Sequence, residues 1–361
     1  MPPFPVVLEK TATKSIDVAL SPTRNIFSSM LLLAKSEGEP GIHQWISNTR
    51  RLMSRQEFDN HTLAIIGFFF ALLPEEGEIT FPIYLNNLER TDPISLRDKM
   101  LNAYAKLWNN NAPEVNWKEV LASADSYIEF LKSRFDDEHV DVNIEKRAYD
   151  YVIDPPALKD FLVGHMTWLW KTHFESEWNR VEPMLIESVR SFKETDLVSM
   201  SRKEAASFVT GQDLSNAKWC KKIDDVENVV FIPNPHIGPY VHTNTVDGSL
   251  LQVFFGARQP EGTGNRIPEL DRTEIVARLS ALADDTRLHI LQLVAERGEI
   301  RVQEILEVIN LSQPSVSRYL TQLTASGYLQ ERRESGAKVY ILNHERIDKT
   351  LKAVNAFLLG R

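Results

Sequence analysis

Between Asn310 and Leu323 the sequence gathers side chains that can hydrogen-bond along one side of a short helix: NLSQPSVSRYLTQL. Ser312 suits an N-cap and Pro314 a first turn, while Val316, Leu320 and Leu323 recur at i, i+4 and i+7 and so share a face that burial would claim. Ser312, Gln313, Ser315, Ser317, Arg318, Tyr319 and Gln322 are then left near the N-terminal end or on the outside. Gln pairs with adenine edges, Arg with guanine and Ser with a base or a phosphate, and a helix N-terminus favours phosphate oxygens. The chemistry these residues offer is the readout of double-stranded DNA.

Such a helix needs elements that hold it. Upstream, a first helix carries Ile275, Leu279 and Leu282 on one face, a second begins at Asp284 as N-cap and is expected to bury Leu288, Leu291 and Val294, and a third spans Val302 to Ile309. Downstream, Gly327 ends the helix. A strand Tyr328–Arg332, a turn with Ser335-Gly336 and a strand Lys338–Leu342 then make a hairpin. Arg332, Arg333 and Lys338 cluster on it, as expected of a wing that touches the phosphate backbone.

Residues 271–361 resemble the winged helix-turn-helix domain of the ArsR family of bacterial transcriptional repressors. Two motifs carry the resemblance: Leu282-Ala283-Asp284-x-Thr286-Arg287-Leu288-x-Ile290-Leu291 and Leu311-Ser312-Gln313-x-x-Val316-Ser317. Asp285 departs from it, standing where the family usually has Pro. The resemblance implies a homodimer on a partly palindromic operator, with one recognition helix per half-site. Ile347, Leu351, Val354 and Leu358 form an apolar stripe on a terminal helix which, with Ile275 and Leu279, is the expected dimer surface; packing against its own domain is the plainer use of such a stripe. Metal-sensing members carry a Cys-Val-Cys element where this chain has Arg301-Val302-Gln303, and neither Arg nor Gln supplies a soft sulfur ligand. His344 and Asp348 make an i, i+4 pair with no second His after it. No metal and no cofactor are expected.

The remaining chain is less explicit. The protein has 361 residues, one cysteine and a net charge of -9. Cys220 alone excludes a disulfide framework and a Cys-rich zinc site. The N-terminus lacks the pattern of a secretory signal, and the apolar run Leu63 to Leu73 is shorter than the ~20 residues a membrane helix needs. A cytoplasmic protein with no membrane partner is expected. The charge is uneven: residues 270–361 hold 13 Lys+Arg and 12 Asp+Glu, so the net of -10 lies before them. QPEGTGNRIPEL at 259–270 reads as a linker. The expected organisation is a regulatory domain at 1–258, the linker at 259–270 and the DNA reader at 271–361.

Residues 1–258 read as α+β: a mostly helical body with a small antiparallel sheet of strands at about 229–255, and a further strand at Ile16 to Leu20. One long helical pattern runs from Pro156 to Phe192, with Pro183 expected to kink it. On it His165, Trp168, Thr172 and Trp178 could line an apolar pocket for a small organic ligand, although aromatics at helical spacing more often pack a core. His173 and Glu177, His236 and His242, and Gly262-Thr263-Gly264 lack the further ligands, nucleophile or flanking elements that a metal, acid-base or nucleotide site requires. No enzyme is expected. The front segment is read as the place where a non-metal effector enters, with a protein-interaction module as the alternative and an enzyme fused to the reader as the weaker one.

Overall fold

The structure, a computed structural model, describes residues 15–35, 42–74, 80–106, 115–135, 140–212, 214, 217–246, 249–260, 275–276, 278–334 and 337–359. Two compact units make up the chain, one of Ser21–Pro183 and one of Met1–Leu20 with Met184–Arg361. Most of the expected linker, with Gly262 and Gly264, and the turns Asp247-Gly248 and Ser335-Gly336 lie outside the described residues.

The Ser21–Pro183 unit is helical throughout its described elements. Helix α1 (Pro22–Lys35) starts at the expected proline and buries Ile26, Met30 and Leu33. α2 (Gln44–Leu52) leads to α3 (Arg55–Thr62), which opens with a reciprocal cap: the Ser54 hydroxyl accepts from the Glu57 amide and the Glu57 carboxylate from the Ser54 amide. The apolar run beginning at Leu63 forms a π-helical turn (Leu63–Gly67) and a short α4 (Phe69–Leu72), with Leu63, Phe68 and Leu72 fully buried. α5 (Phe81–Arg90), α6 (Pro93–Lys106), α7 (Trp117–Val120), α8 (Ala124–Lys132) and α9 (Val142–Val152) surround the same core. The long pattern resolves into α10 (Pro155–Leu169), a second π-helical turn (Trp170–Phe174) and α11 (Glu175–Lys193), which carries Pro183 inside it. Among the described residues no helix is long and apolar enough to cross a membrane.

The second unit contains two sheets. In the first, β1 (Ser15–Val18), β2 (Asn228–Asn234), β4 (Leu250–Gly256) and β3 (His242–Val246) lie side by side in that order. β1 and β4 run parallel to β2, and only the β3–β4 pair is antiparallel, so this sheet is mixed rather than antiparallel as expected. The reason is visible in composition. β2 (NVVFIPN) and β4 (LLQVFFG) are nearly continuous apolar runs, which suit central strands covered on both faces, whereas β3 (HTNTV) is polar and takes the edge. Phe192, Phe231 and Phe255 fill the interior beneath α12 (Arg202–Thr210) and α13 (Ala217–Asp224).

The rest of the unit carries the 310–323 segment and the elements that hold it. Residues 275–276 and 278–282 are helical and form a lead helix, followed by α14 (Asp285–Arg297), β5 (Glu299–Arg301), α15 (Val302–Val308), α16 (Gln313–Ala325), β6 (Leu329–Glu334), β7 (Ala337–Leu342) and α17 (His344–Leu359). The order of the second sheet is β5-β7-β6, all antiparallel. Ile290, Val294, Ile305, Val316, Leu320 and Leu323 meet in its core. The predicted face of α14 needs correction: Leu288 is 50% exposed, while Arg287, Ile290, Leu291, Leu293 and Val294 are buried. The fold class is α+β, with a winged helix at the C-terminal end.

Candidate nucleic-acid interface

α15 and α16 are separated by the turn Ile309 to Ser312, where the Ile309 amide still donates to Ile305 O at 2.8 Å and the Leu311 amide donates to Ile309 O at 2.8 Å. Ser312 sits at the N-cap of α16 with extended backbone angles, but its hydroxyl bonds the Ser315 hydroxyl at 2.9 Å rather than an amide. The first turn of α16 therefore has no side-chain cap, and its amides keep their partial positive charge for an incoming anion. The other end is closed firmly. Gly327, at φ +80°, takes the left-handed turn, and the Tyr328 amide donates to Leu323 O at 2.9 Å. A Cβ at Gly327 would come within 2.9 Å of Arg346 Nε, so both backbone and space favour glycine.

Burial of Val316, Leu320 and Leu323 leaves Gln313, Ser317 and Arg318 exposed, with Ser315 and Tyr319 partly covered. The Arg318 guanidinium lies over the Tyr319 ring, 5.8 Å from its centroid. Thr321, exposed one turn after Ser317 and donating to its carbonyl at 2.9 Å, extends the same row; the sequence reading missed it. Gln322 leaves the row. It is 4% exposed, and its Oε1 accepts from Arg287 Nη1 at 3.0 Å, so it faces the interior and not a base edge.

On the wing, two of the three expected cations already have partners. Arg332 pairs with Glu299, and Lys338 Nζ lies 2.9 Å from Glu331 Oε2; a further pair links Arg301 and Glu334 at 3.5 Å. Arg333 is exposed and makes no ion pair among the described residues. A phosphate near Arg332 or Lys338 must compete with a carboxylate, whereas one near Arg333 gains an uncompensated charge. Arg333→Ala is therefore expected to weaken all duplexes alike and to reduce the salt slope of binding by about 1, measured as affinity against ionic strength. An unchanged slope would remove Arg333 from the interface.

The sequence of this segment has counterparts in known proteins. The profile described as bacterial regulatory protein, arsR family, matches residues 284–331, from the cap of α14 to β6. The arsenic resistance transcriptional regulator ArsR2 of Pseudomonas putida is 38% identical over 85 residues, 22% of this chain and 74% of that protein. The chain belongs to the ArsR family. ArsR1 of the same organism is 41% identical over 73 residues, 20% of this chain and 56% of ArsR1. The arsenical resistance operon repressor of Escherichia coli is 43% identical over 53 residues, 15% of this chain and 45% of that repressor. The chain thus spans little more than half of one of these ArsR-family relatives and less than half of another, and the likeness covers about a fifth of its own length.

The other expected sites fare differently. Of the proposed dimer residues, Ile275 is buried, Ile347 and Val354 are half-buried, and Leu279, Leu351 and Leu358 are exposed. Of the proposed pocket residues, His165 is buried with Trp168 beside it at 5.6 Å between rings, Trp178 is half-buried and Thr172 is exposed. The space on another side of His165 is occupied by His61, 104 positions away and linked to it by no spacing rule. His61 Nε2 donates to Met30 O at 3.0 Å, so its Nδ1 must be the acceptor for His165 Nε2 at 3.2 Å. Burial pushes His61 down to about 3 and His165 to about 4, which leaves both rings neutral at neutral pH.

Proposed function

We propose that the protein is a transcriptional repressor that binds a partly palindromic DNA operator as a homodimer and releases it in response to a non-metal effector. The observation that carries this reading is the row Gln313, Ser317, Arg318 and Thr321 on the outer face of α16, together with its uncapped N-terminus and the exposed wing cation Arg333. Donors and acceptors at that spacing suit base edges, and the cation and free amides suit phosphates. Repression is the direction suggested by the Escherichia coli relative, an arsenical resistance operon repressor. Residues 271–361 act as the reader, 259–270 as a linker, and 1–258 as the regulatory part. A non-metal effector fits Arg301 and Gln303, which offer no thiolate. Its coupling to DNA follows from preferential binding to one arrangement of the two readers in the dimer.

Support for the dimer comes from α17. Its Leu351, Phe357, Leu358 and Leu359 are all exposed, Leu358 at 72%, and only Thr350 is buried on that helix. A second copy with its own α17 and lead helix would cover such a face. Leu351→Asp is expected to turn a dimer into a monomer in sedimentation velocity and to weaken duplex binding at least tenfold, because one reader loses the other's contacts. A wild-type protein that sediments as a monomer and binds duplexes one to one contradicts the dimer reading.

A further inference from the structure

The buried Arg287 stands at a junction that DNA recognition has not so far required. Its Nε donates to Ala281 O at 2.6 Å and its Nη2 to Ser280 O at 2.9 Å, while Nη1 donates to Gln322 Oε1 at 3.0 Å. Asp284 Oδ2 lies 3.9 Å from Nη1. Only 5% of Arg287 and 4% of Gln322 is exposed. Ser280 and Ala281 lie in the last turn of the lead helix, where carbonyls have no partner within the helix. One planar guanidinium thus holds the last carbonyls of the lead helix with one edge and a side chain of the recognition helix with another. The same helix end is gripped again by Tyr328, whose hydroxyl lies 3.1 Å from Arg278 O and 3.3 Å from Thr350 Oγ1 on α17.

We propose that the Arg287–Gln322 pair fixes the orientation of α16 to the end of the lead helix, making Gln322 a positioning residue for base discrimination and Arg287 the link through which movement of the lead helix reaches the DNA-reading face. The inference rests on the DNA-reading role proposed above. Its physical basis is the fork of the guanidinium. The fixed angle between its N–H vectors lets the lead-helix carbonyls and Gln322 move only together, or else one buried donor loses its partner. A contact between two apolar side chains would slide without such a penalty. The link also runs from the helix that follows the 259–270 segment to the last turn of α16, the direction a signal from the front of the chain must take. Gln322 faces the interior and not a base edge, so replacing it removes no direct base contact and acts through its buried surroundings, of which Arg287 is the hydrogen-bond partner.

The test uses the full chain and two duplexes of equal length and composition: one selected by the wild-type protein from a randomised pool, and one scrambled. Gln322→Met keeps the volume and helix propensity but removes the acceptor, and Gln322→Glu restores an acceptor. Expected is an approximately tenfold fall in the selected-to-scrambled affinity ratio for Gln322→Met, with scrambled binding unchanged, and recovery of the ratio in Gln322→Glu. If Gln322→Met is unfolded at the assay temperature by circular dichroism, Gln322→Ala, which admits water to the guanidinium, carries the same expectation. A folded variant with an unaltered ratio, or a Glu variant no better than Met, overturns the link. A wild-type protein that enriches no sequence from the pool instead overturns the DNA-reading role, and the link with it.

Discussion

Leu320→Ala is expected to lower the melting transition of the reader sharply while leaving that of the Ser21–Pro183 unit unchanged. Leu320 is 1% exposed and meets Ile290, Val294, Ile305, Val316 and Leu323 in one core. Removing its isobutyl tip deletes buried carbon and leaves a cavity, at a cost of about 2–5 kcal/mol. Small domains keep only ~5–15 kcal/mol in total, and each kcal/mol moves the midpoint of one this size by roughly 4–8 °C. The reader's transition should therefore fall by at least about 8 °C. Tryptophan placement makes this separable, because all seven tryptophans precede residue 220. Far-UV circular dichroism should show an early transition in which the six tryptophans of the Ser21–Pro183 unit take no part, so that fluorescence changes by the share of Trp219 at most. A single transition, shifted equally in both signals, would mean that the two parts melt as one cooperative body.

Arg318→Ala is the second large effect, and it falls on binding rather than stability. The side chain is exposed on the outer face of α16, steadied by the Tyr319 ring and by no ion pair among the described residues. An arginine that forks onto a guanine contributes about 1–3 kcal/mol of discrimination, and its loss relaxes the preference at that base position. Affinity for the preferred duplex should fall about 5- to 150-fold by that figure, whereas affinity for a scrambled duplex changes little. The contrast with Arg333→Ala is the informative part. A phosphate contact weakens every sequence together and shows in the salt slope; a base contact shows in the ratio between sequences. Equal loss on both duplexes would move Arg318 from the bases to the backbone.

The recognition helix was legible because everything that defines it is local. Ser312, Pro314, the 316/320/323 stripe and Gly327 lie within one short stretch, and their spacing fixes both ends and the buried face. Gln322 was misassigned for a related reason. As a polar residue on the margin of the stripe it reads as exposed, and its partner Arg287 lies 35 positions away on another helix. The same arginine displaced the reading of α14: setting aside a charged residue left Leu288, Leu291 and Val294 as the stripe, whereas the buried face runs through Arg287, Ile290, Leu291 and Val294. The parallel pairing of β2 with β4 was hidden likewise. Composition marks central strands, but which strand lies between which others is settled by contacts far apart in sequence. The His61–His165 pair joins residues 104 positions apart, and no spacing rule connects them.

Readout of base sequence by α16 is the property on which the proposed function stands. Its most direct measurement is enrichment of a randomised duplex pool by the full-length protein, sequenced over several rounds beside the Arg318→Ala variant. Expected is a two-fold symmetric sequence with half-sites about 10 base pairs apart centre to centre, or a multiple of that turn, and a blurred preference at one position per half-site in the variant. A wild-type pool that stays as random as its input, while total binding remains strong, would contradict it and leave a protein that holds DNA without reading it.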